Sequence, residues 1–365
     1  MSETKGFGFI LSLLLLVSYC GNPVDDGDYR FPAPVYPRPY SAPSWSADGK
    51  TIVFCRIKIT SIDGFGGYWY DPDSTGIWAI DADGSNMRLL IRGRGDSPEL
   101  SPDGEWLVYE EGGRIYKARY IDGLVDTSEI IQLTTVGRNF YPAWSPDGKW
   151  IAYDSNVDNP GGGYSIWIMD SDGNNKRMSA PGRMADWSPD GKYLIFIGFH
   201  CEIYRVSVED TSEVERLTFL NQGDIYAAEN KLPVYSSDGK KIAFESNCQI
   251  WVMNSDGTDP RQITTEGSSL HPSWSPDGRI VYVHDVSYKR DVNNGTLWVM
   301  NADGTNQHQL TFNYGLKVVG QTEEDYSVTN LSEDNMVYSA LFRMTNRKYM
   351  FDSGTWCTLW GNILQ

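Results

Sequence analysis

The chain has 365 residues, of which 40% are hydrophobic, 13% aromatic and 36 glycine. Its 31 Lys and Arg stand against 48 Asp and Glu, a formal net charge of −17, and that field repels a phosphate backbone, so nucleic acid is set aside as a partner. Length alone would suggest two domains, but repeated segments spend it on one array.

Taken from the N-terminus, residues 1–20 have the form of an export signal. Lys5 supplies a small positive flank, and Phe7 to Tyr19 is a run of 13 residues without a charge. Such a run fits the apolar centre of a signal peptide and falls short of the roughly 20 residues a membrane-spanning helix needs. Cys20-Gly21-Asn22 resembles a bacterial lipoprotein processing site, which makes Cys20 a candidate for lipid attachment, with a plain signal peptide as the alternative. Membrane association is expected only through that N-terminal lipid. Residues 21–40, acidic and proline-rich, read as a tether merging into a closing strand, with the ring of blades over 41–365.

From Ala42 onward one unit recurs. Its clearest copies begin YPAWSPDGKWIAYDSN, MADWSPDGKYLIF and LPVYSSDGKKIAFES within 141–264. In the first, Pro146-Asp147-Gly148 reverses the chain, because Pro presets φ and Gly accepts φ > 0. Lys149 to Tyr153 then reads as a strand, Ile166 to Met169 as a third, and Asp170-Ser171-Asp172-Gly173 as an Asp-Gly hairpin leading to a fourth. The Ser-x-Asp-Gly turn starts at Ser46, Ser101, Ser145, Ser188, Ser236 and Ser275, at spacings of 55, 44, 43, 48 and 39 residues. Four-stranded propeller blades repeat at about 40–50 residues. An aromatic also holds one place in every third strand: Trp78, Tyr116, Trp167, Tyr204, Trp251 and Trp298. The fold class is therefore all-β, a β-propeller of four-stranded antiparallel blades. A fainter copy at Leu331-Ser332-Glu333-Asp334-Asn335, with Trp356 in the third-strand place, makes seven blades the expectation and six the alternative. Seven would close with one strand from each terminus, removing open edges.

The motifs P-x-W-S-P-D-G-K, then L-W-V-M-N-A-D-G at 297–304, then Q-L-T at 309–311, resemble the TolB-type propeller repeat, also described as a WD40-like PD-repeat. The resemblance implies a propeller of the cell envelope, periplasmic or at the cell surface, docking an envelope protein. The best-known form of that family carries an N-terminal α/β domain, for which no room is expected between Cys20 and the first blade.

Antiparallel blades place second-to-third and fourth-to-first connections on one face. The long loops 58–76, 156–164, 222–231 and 285–296 therefore share it, and loops above a rigid scaffold are where binding residues concentrate. Tyr68 and Trp69 lie in the first of these. The residue before the Pro of P-x-W-S, a place held by Met184 before Ala185 in the fourth copy, lies at the channel mouth on that face: Ala42, Ser97, Tyr141, Met184, Leu232, His271 and, by the weaker match, Val328. Arg138 and Arg183 enter blades 3 and 4 beside it and offer donors to a partner carboxylate. Expected partner contacts are Tyr68, Trp69, Tyr141, His271, Arg138 and Arg183.

Catalytic and metal motifs are missing. The four histidines are not spaced as ligand pairs, no Cys-x-x-Cys or Gly-x-Ser-x-Gly occurs, and the Asp-x-Asp-Gly turns lack the further ligands of a calcium loop. No enzyme activity, metal or cofactor is expected. The rival reading, a carbohydrate-binding or polysaccharide-processing propeller, requires carboxylates or a metal converging on the channel, where Asp186 is the one carboxylate counted. A purely structural module is the third reading. Cys201 with Cys248, and Cys55 with Cys357, are conceivable disulfides in an exported chain, but free buried thiols are favoured.

Overall fold

A computed structural model describes residues 40–62, 68–158, 163–212, 214–219, 230–285 and 295–312, with short strands at 317–318, 327–328, 340–341, 348–350 and 356–358. Six antiparallel four-stranded sheets follow one another, each running from an innermost to an outermost strand. Blade 1 uses Tyr40–Trp45, Thr51–Arg56, Gly76–Asp81 and Arg88–Arg92; the innermost strands of the other five are Asp96–Leu100, Asn139–Trp144, Arg183–Trp187, Asn230–Tyr235 and Ser268–Trp274.

The repeated letters have separable physical tasks. In the Ser-x-Asp-Gly turn, Ser46 Oγ donates to Asp48 Oδ1 at 2.7 Å, Lys50 N donates to that same oxygen at 3.0 Å, and Thr51 N donates to Ser46 Oγ at 3.0 Å. The same Ser–Asp contact recurs in the other five blades. These are local bonds that hold a tight turn. The Asp-x-Asp-Gly carboxylates are used likewise: Asp170 Oδ1 accepts from Asp172 N at 3.1 Å and Asn174 N at 2.7 Å.

Each third-strand aromatic lies opposite a second-strand aromatic, as Phe54–Trp78, Tyr109–Tyr116, Tyr153–Trp167, Phe196–Tyr204, Phe244–Trp251 and Tyr282–Trp298. Such cross-strand pairs are the unit of sheet stabilisation. The Thr closing the outer strand caps the third: Thr134, Thr218, Thr264 and Thr311 accept from the N–H of Ile115, Ile203, Ile250 and Leu297, each at 2.9 Å. Thr264→Val removes that acceptor from a buried N–H and is expected to cost about 1–3 kcal/mol in denaturant unfolding.

Burial is distributed between blades. Six apolar clusters fill the six seams, and the one between blades 6 and 1 joins Tyr40, Trp45, Phe54 and Ile80 to Leu270, Val281, Val283 and Val299. Trp45 N also meets Ser273 Oγ at 3.4 Å. The ring is thus closed at six blades, correcting the expected seven. All four strands of blade 1 come from residues 40–92, and Tyr40 opens its innermost strand instead of completing another sheet. With both end sheets complete, no half-blade remains to fill. The weak motif at 331–335 and the N-terminal segment 1–39, including Cys20, lie outside the described residues.

The blade 1 insertion, expected as a loop, forms a hairpin of Ile59–Ile62 with Tyr68–Tyr70, and Lys317–Val318 joins it parallel to Ser61–Ile62. Among the cysteines, Cys55 is buried and free and Cys248 exposed and free, while Cys201 is disulfide-bonded. Neither Cys201–Cys248 nor Cys55–Cys357 is therefore formed, and the free-thiol expectation holds for Cys55 but fails for Cys201.

Candidate functional site at the channel mouth

Every innermost strand breaks register at one step, an X-Pro pair in five blades, where Pro has no N–H to place in the ladder, and Met184-Ala185 in blade 4. The residue before that step adopts positive φ: Ala42 46°, Ser97 50°, Tyr141 49°, Met184 58°, Leu232 49° and His271 55°. Such bulges re-aim side chains, and here all six line a central cavity of about 250 Å³. The expected ring is present with six members. Val328 instead pairs with Ala340 in a separate two-stranded sheet.

Two residues beyond each ring member, the same register supplies Ser44, Glu99, Ala143, Asp186, Val234 and Ser273 to the cavity wall. Polar groups that bridge to the next blade come from alternate blades. Glu99 Oε2 accepts from Trp144 N at 3.3 Å, Asp186 Oδ2 from Tyr235 N at 2.8 Å, and Ser273 Oγ from Trp45 N at 3.4 Å. Burial raises the Glu99 carboxyl well above the usual range, and the charge of Asp186 adds to it. Burial pushes Asp186 up to about 7, with the Tyr235 and Trp187 N–H groups pulling the other way. Asp186 is thus not the sole carboxylate at the channel. Glu99 stands at the same step from Ser97 as Asp186 from Met184, so the register already contained the signal.

Blades 3 and 4 build the mouth most heavily. Arg183 lies over the Tyr164 ring at 4.5 Å and the Tyr141 ring at 5.9 Å. Tyr164 meets Phe140 edge-on at 5.7 Å, and Arg138 lies over Phe140 at 5.8 Å. Beneath them Asp154, fully buried, accepts from Met184 N at 2.8 Å and from Arg183 Nε at 3.4 Å. Burial pushes Asp154 up to about 7, against the pull of Arg183. Burial likewise pushes the Tyr141 phenol up to about 12; Arg183 opposes this, while Asp96, Asp154 and Glu245 add to it.

Three expected contacts, Tyr141, Arg138 and Arg183, are therefore brought together. His271 joins the same cavity wall from blade 6. Tyr68 and Trp69 form a strand in the blade 1 insertion, but their side chains lie outside the described residues. Tyr164, Phe140 and Asp154 were not foreseen, and nothing in the repeat marks them. Among the described residues, no group of three or more His, Cys, Asp and Glu side chains is placed to hold a metal ion, and no helix is long and apolar enough to cross a membrane.

Residues 71–319 match the family described as the TolB beta propeller domain. The chain belongs to that family. It is 29% identical over 208 residues to an uncharacterized protein of Agrobacterium fabrum, covering 54% of this chain and 67% of the relative. A putative TolB from Agrobacterium tumefaciens superposes with a TM-score of 0.53 at 26% identity, over 62% of this chain and 84% of that one. TolB from Acinetobacter baumannii also gives 0.53, at 22% identity, over 72% of this chain and 63% of that one, which supports the propeller fold alone.

Proposed function

We propose that this TolB-family propeller is a non-catalytic docking module of the cell envelope that binds a protein partner on the face where the channel opens among the long connections. The carrying observation is the mouth itself: six bulged side chains around one cavity, with the Arg138–Phe140–Tyr164–Arg183–Tyr141 shelf beside it. Exposed apolar side chains flank it, with Phe219 at 56% and Val136 at 61% exposure in connections between blades. Aromatic and Arg side chains anchor protein interfaces more often than other types. The opposite end is taken up by six Ser–Asp turns. Export accords with a disulfide at Cys201, and a lipid on Cys20 would hold the ring at a membrane.

A second reading keeps its place because Glu99 and Asp186 both line the channel, as a glycan-processing site would require. Each, however, spends a carboxylate oxygen on a backbone N–H of the next blade, a bracing role.

The test is a pull-down from detergent-solubilised envelope of the source organism, with wild-type bait beside Tyr68→Ala/Trp69→Ala and Tyr141→Ala/Phe219→Ala baits. One protein held by wild type and lost with either double variant is the expected result. No retained protein, together with glycan binding abolished by Glu99→Gln, would replace docking with the second reading.

A further inference from the structure

The blade 3–4 shelf combines two features that ordinary surface arginines lack. Arg183 lies over two aromatic rings, and its counter-ion is a carboxylate with no exposure to solvent, whereas the Arg183 side chain itself retains 30%. Asp154 also carries the Met184 N–H, so it keeps one hydrogen-bond partner even when Arg183 is drawn away. A guanidinium fixed in this way presents its remaining N–H donors outward in the fork that matches a carboxylate. Arg138, exposed over Phe140, adds a second guanidinium along the same line of rings.

We propose that Arg183, flanked by Tyr141, Tyr164 and Arg138, is the recognition point for a carboxylate of the docked protein, and that this carboxylate takes Arg183 over from Asp154 as Asp154 accepts a proton from solvent. The inference rests on the docking reading for the face the partner meets. It adds the partner's chemistry, an acidic side chain or chain terminus beside an apolar or aromatic residue that can lie on the rings. It also adds a linkage, since in the pH range where Asp154 is ionised before binding one proton enters for each carboxylate bound.

The groups facing Asp154 are Arg183 from blade 4 and Tyr141 from its own blade, and Tyr141 is coupled in turn to Asp96 of blade 2 and Glu245 of blade 5. Burial already favours the neutral form of Asp154, so losing Arg183 to an incoming carboxylate favours it further. Above about pH 7 the exchange must draw a proton from solvent, and affinity should fall by about tenfold per pH unit; below that, Asp154 is already neutral and affinity should level off.

The probe is the peptide acetyl-Gly-Glu-Trp-Glu-Gly-amide, beside its counterpart with glutamine in place of both glutamates, titrated into the full chain. Binding is followed through the arginine side-chain resonances from pH 6 to pH 9, where the peptide glutamates stay ionised. The glutamate peptide should saturate the Arg183 signal and weaken about tenfold from pH 7.5 to 8.5, while the glutamine peptide should leave it unmoved. Arg183→Lys, which loses the planar fork, should weaken binding at least tenfold at every pH. Asp154→Asn should bind without the pH slope. If that variant does not fold, proton uptake by wild type, measured calorimetrically in buffers of different ionisation enthalpy, reads the same quantity. His271→Gln should keep the slope, separating Asp154 from the histidine at the mouth. Equal response to both peptides, no response of Arg183, or binding without proton uptake above pH 7 overturns the proposal. A partner captured in the pull-down but indifferent to Arg183→Lys overturns it while leaving docking intact, and no captured partner counts against docking itself.

Discussion

Gly257→Ala is expected to destabilise the ring by about 3 kcal/mol or more, whereas Gly191→Ala should cost only about 1–2 kcal/mol. Both glycines have positive φ, at 84° and 72°, so both substitutions bear the backbone penalty. They differ in what the new Cβ meets. At Gly257 it would stand 2.4 Å from the Leu217 carbonyl oxygen of the preceding blade, and at Gly191 nothing lies within 4 Å. Gly304 repeats the contact against Ile263 O at 2.5 Å, and at the closing seam Gly84 faces Leu310 O at 3.4 Å. The Asp-Gly hairpin of one blade is therefore pressed on the Leu-Thr backbone of its neighbour, and a backbone oxygen cannot move aside as a side chain can. Guanidinium unfolding of the two variants checks the difference. Equal losses would mean that the glycine serves only its turn and not the seam.

The second large effect concerns pH. Asp186, Asp154 and Glu110 are each raised to about 7, in all three cases first by burial. The folded state binds protons that the unfolded chain has released, so stability is fullest below the ordinary carboxylate range of about 4 and is lost as pH rises toward 7. Turn aspartates work in the other direction. Ser46 and Ser188 hold Asp48 and Asp190 below the usual value, and their contribution disappears as the medium becomes more acidic than that range. Together these place the stability maximum near pH 4–5, with a loss of several kcal/mol by pH 8 at about 1.4 kcal/mol per pKa unit for each group. On melting, that corresponds to a Tm lower by on the order of 10 °C at pH 8 than at pH 5. Asp186→Asn keeps an oxygen for the Tyr235 N–H and cannot ionise, so it should gain about 1–2 kcal/mol at pH 8 and nothing at pH 4.5. A Tm that is flat between pH 5 and pH 8, with Asp186→Asn neutral throughout, would contradict the assignment.

Much of the fold is written in local chemistry, and that part was legible. The turn Ser–Asp contacts, the cross-strand aromatics and the Thr caps all act within one blade, so all six copies carry the first two and four carry the Thr cap. Blade number is not local. It depends on whether the last sheet meets the first, and here Leu270, Val281 and Val299 pack on Trp45, Phe54 and Ile80, closing the ring at six blades. The channel ring could be read because X-Pro recurs at one register step in five blades, and Met184-Ala185 keeps that step before Asp186-Trp187-Ser188 in the other. Glu99 was passed over although it stands at the step that also gives Asp186. Asp154 and Tyr164 reach Arg183 from a second strand and from a loop in the neighbouring blade, a juxtaposition that no sequence spacing encodes.

Site-specific photo-crosslinking in the source organism tests the docking face most directly. A benzophenone amino acid is placed in turn at Tyr141 and Phe219 beside the mouth, and at Lys149 and Lys192 in the turns at the opposite end. A single protein adduct from the first two positions and none from the second two is the predicted result. Adducts from Lys149 or Lys192 alone, or none from any position under conditions where the pull-down retains a partner, would contradict docking at the channel mouth.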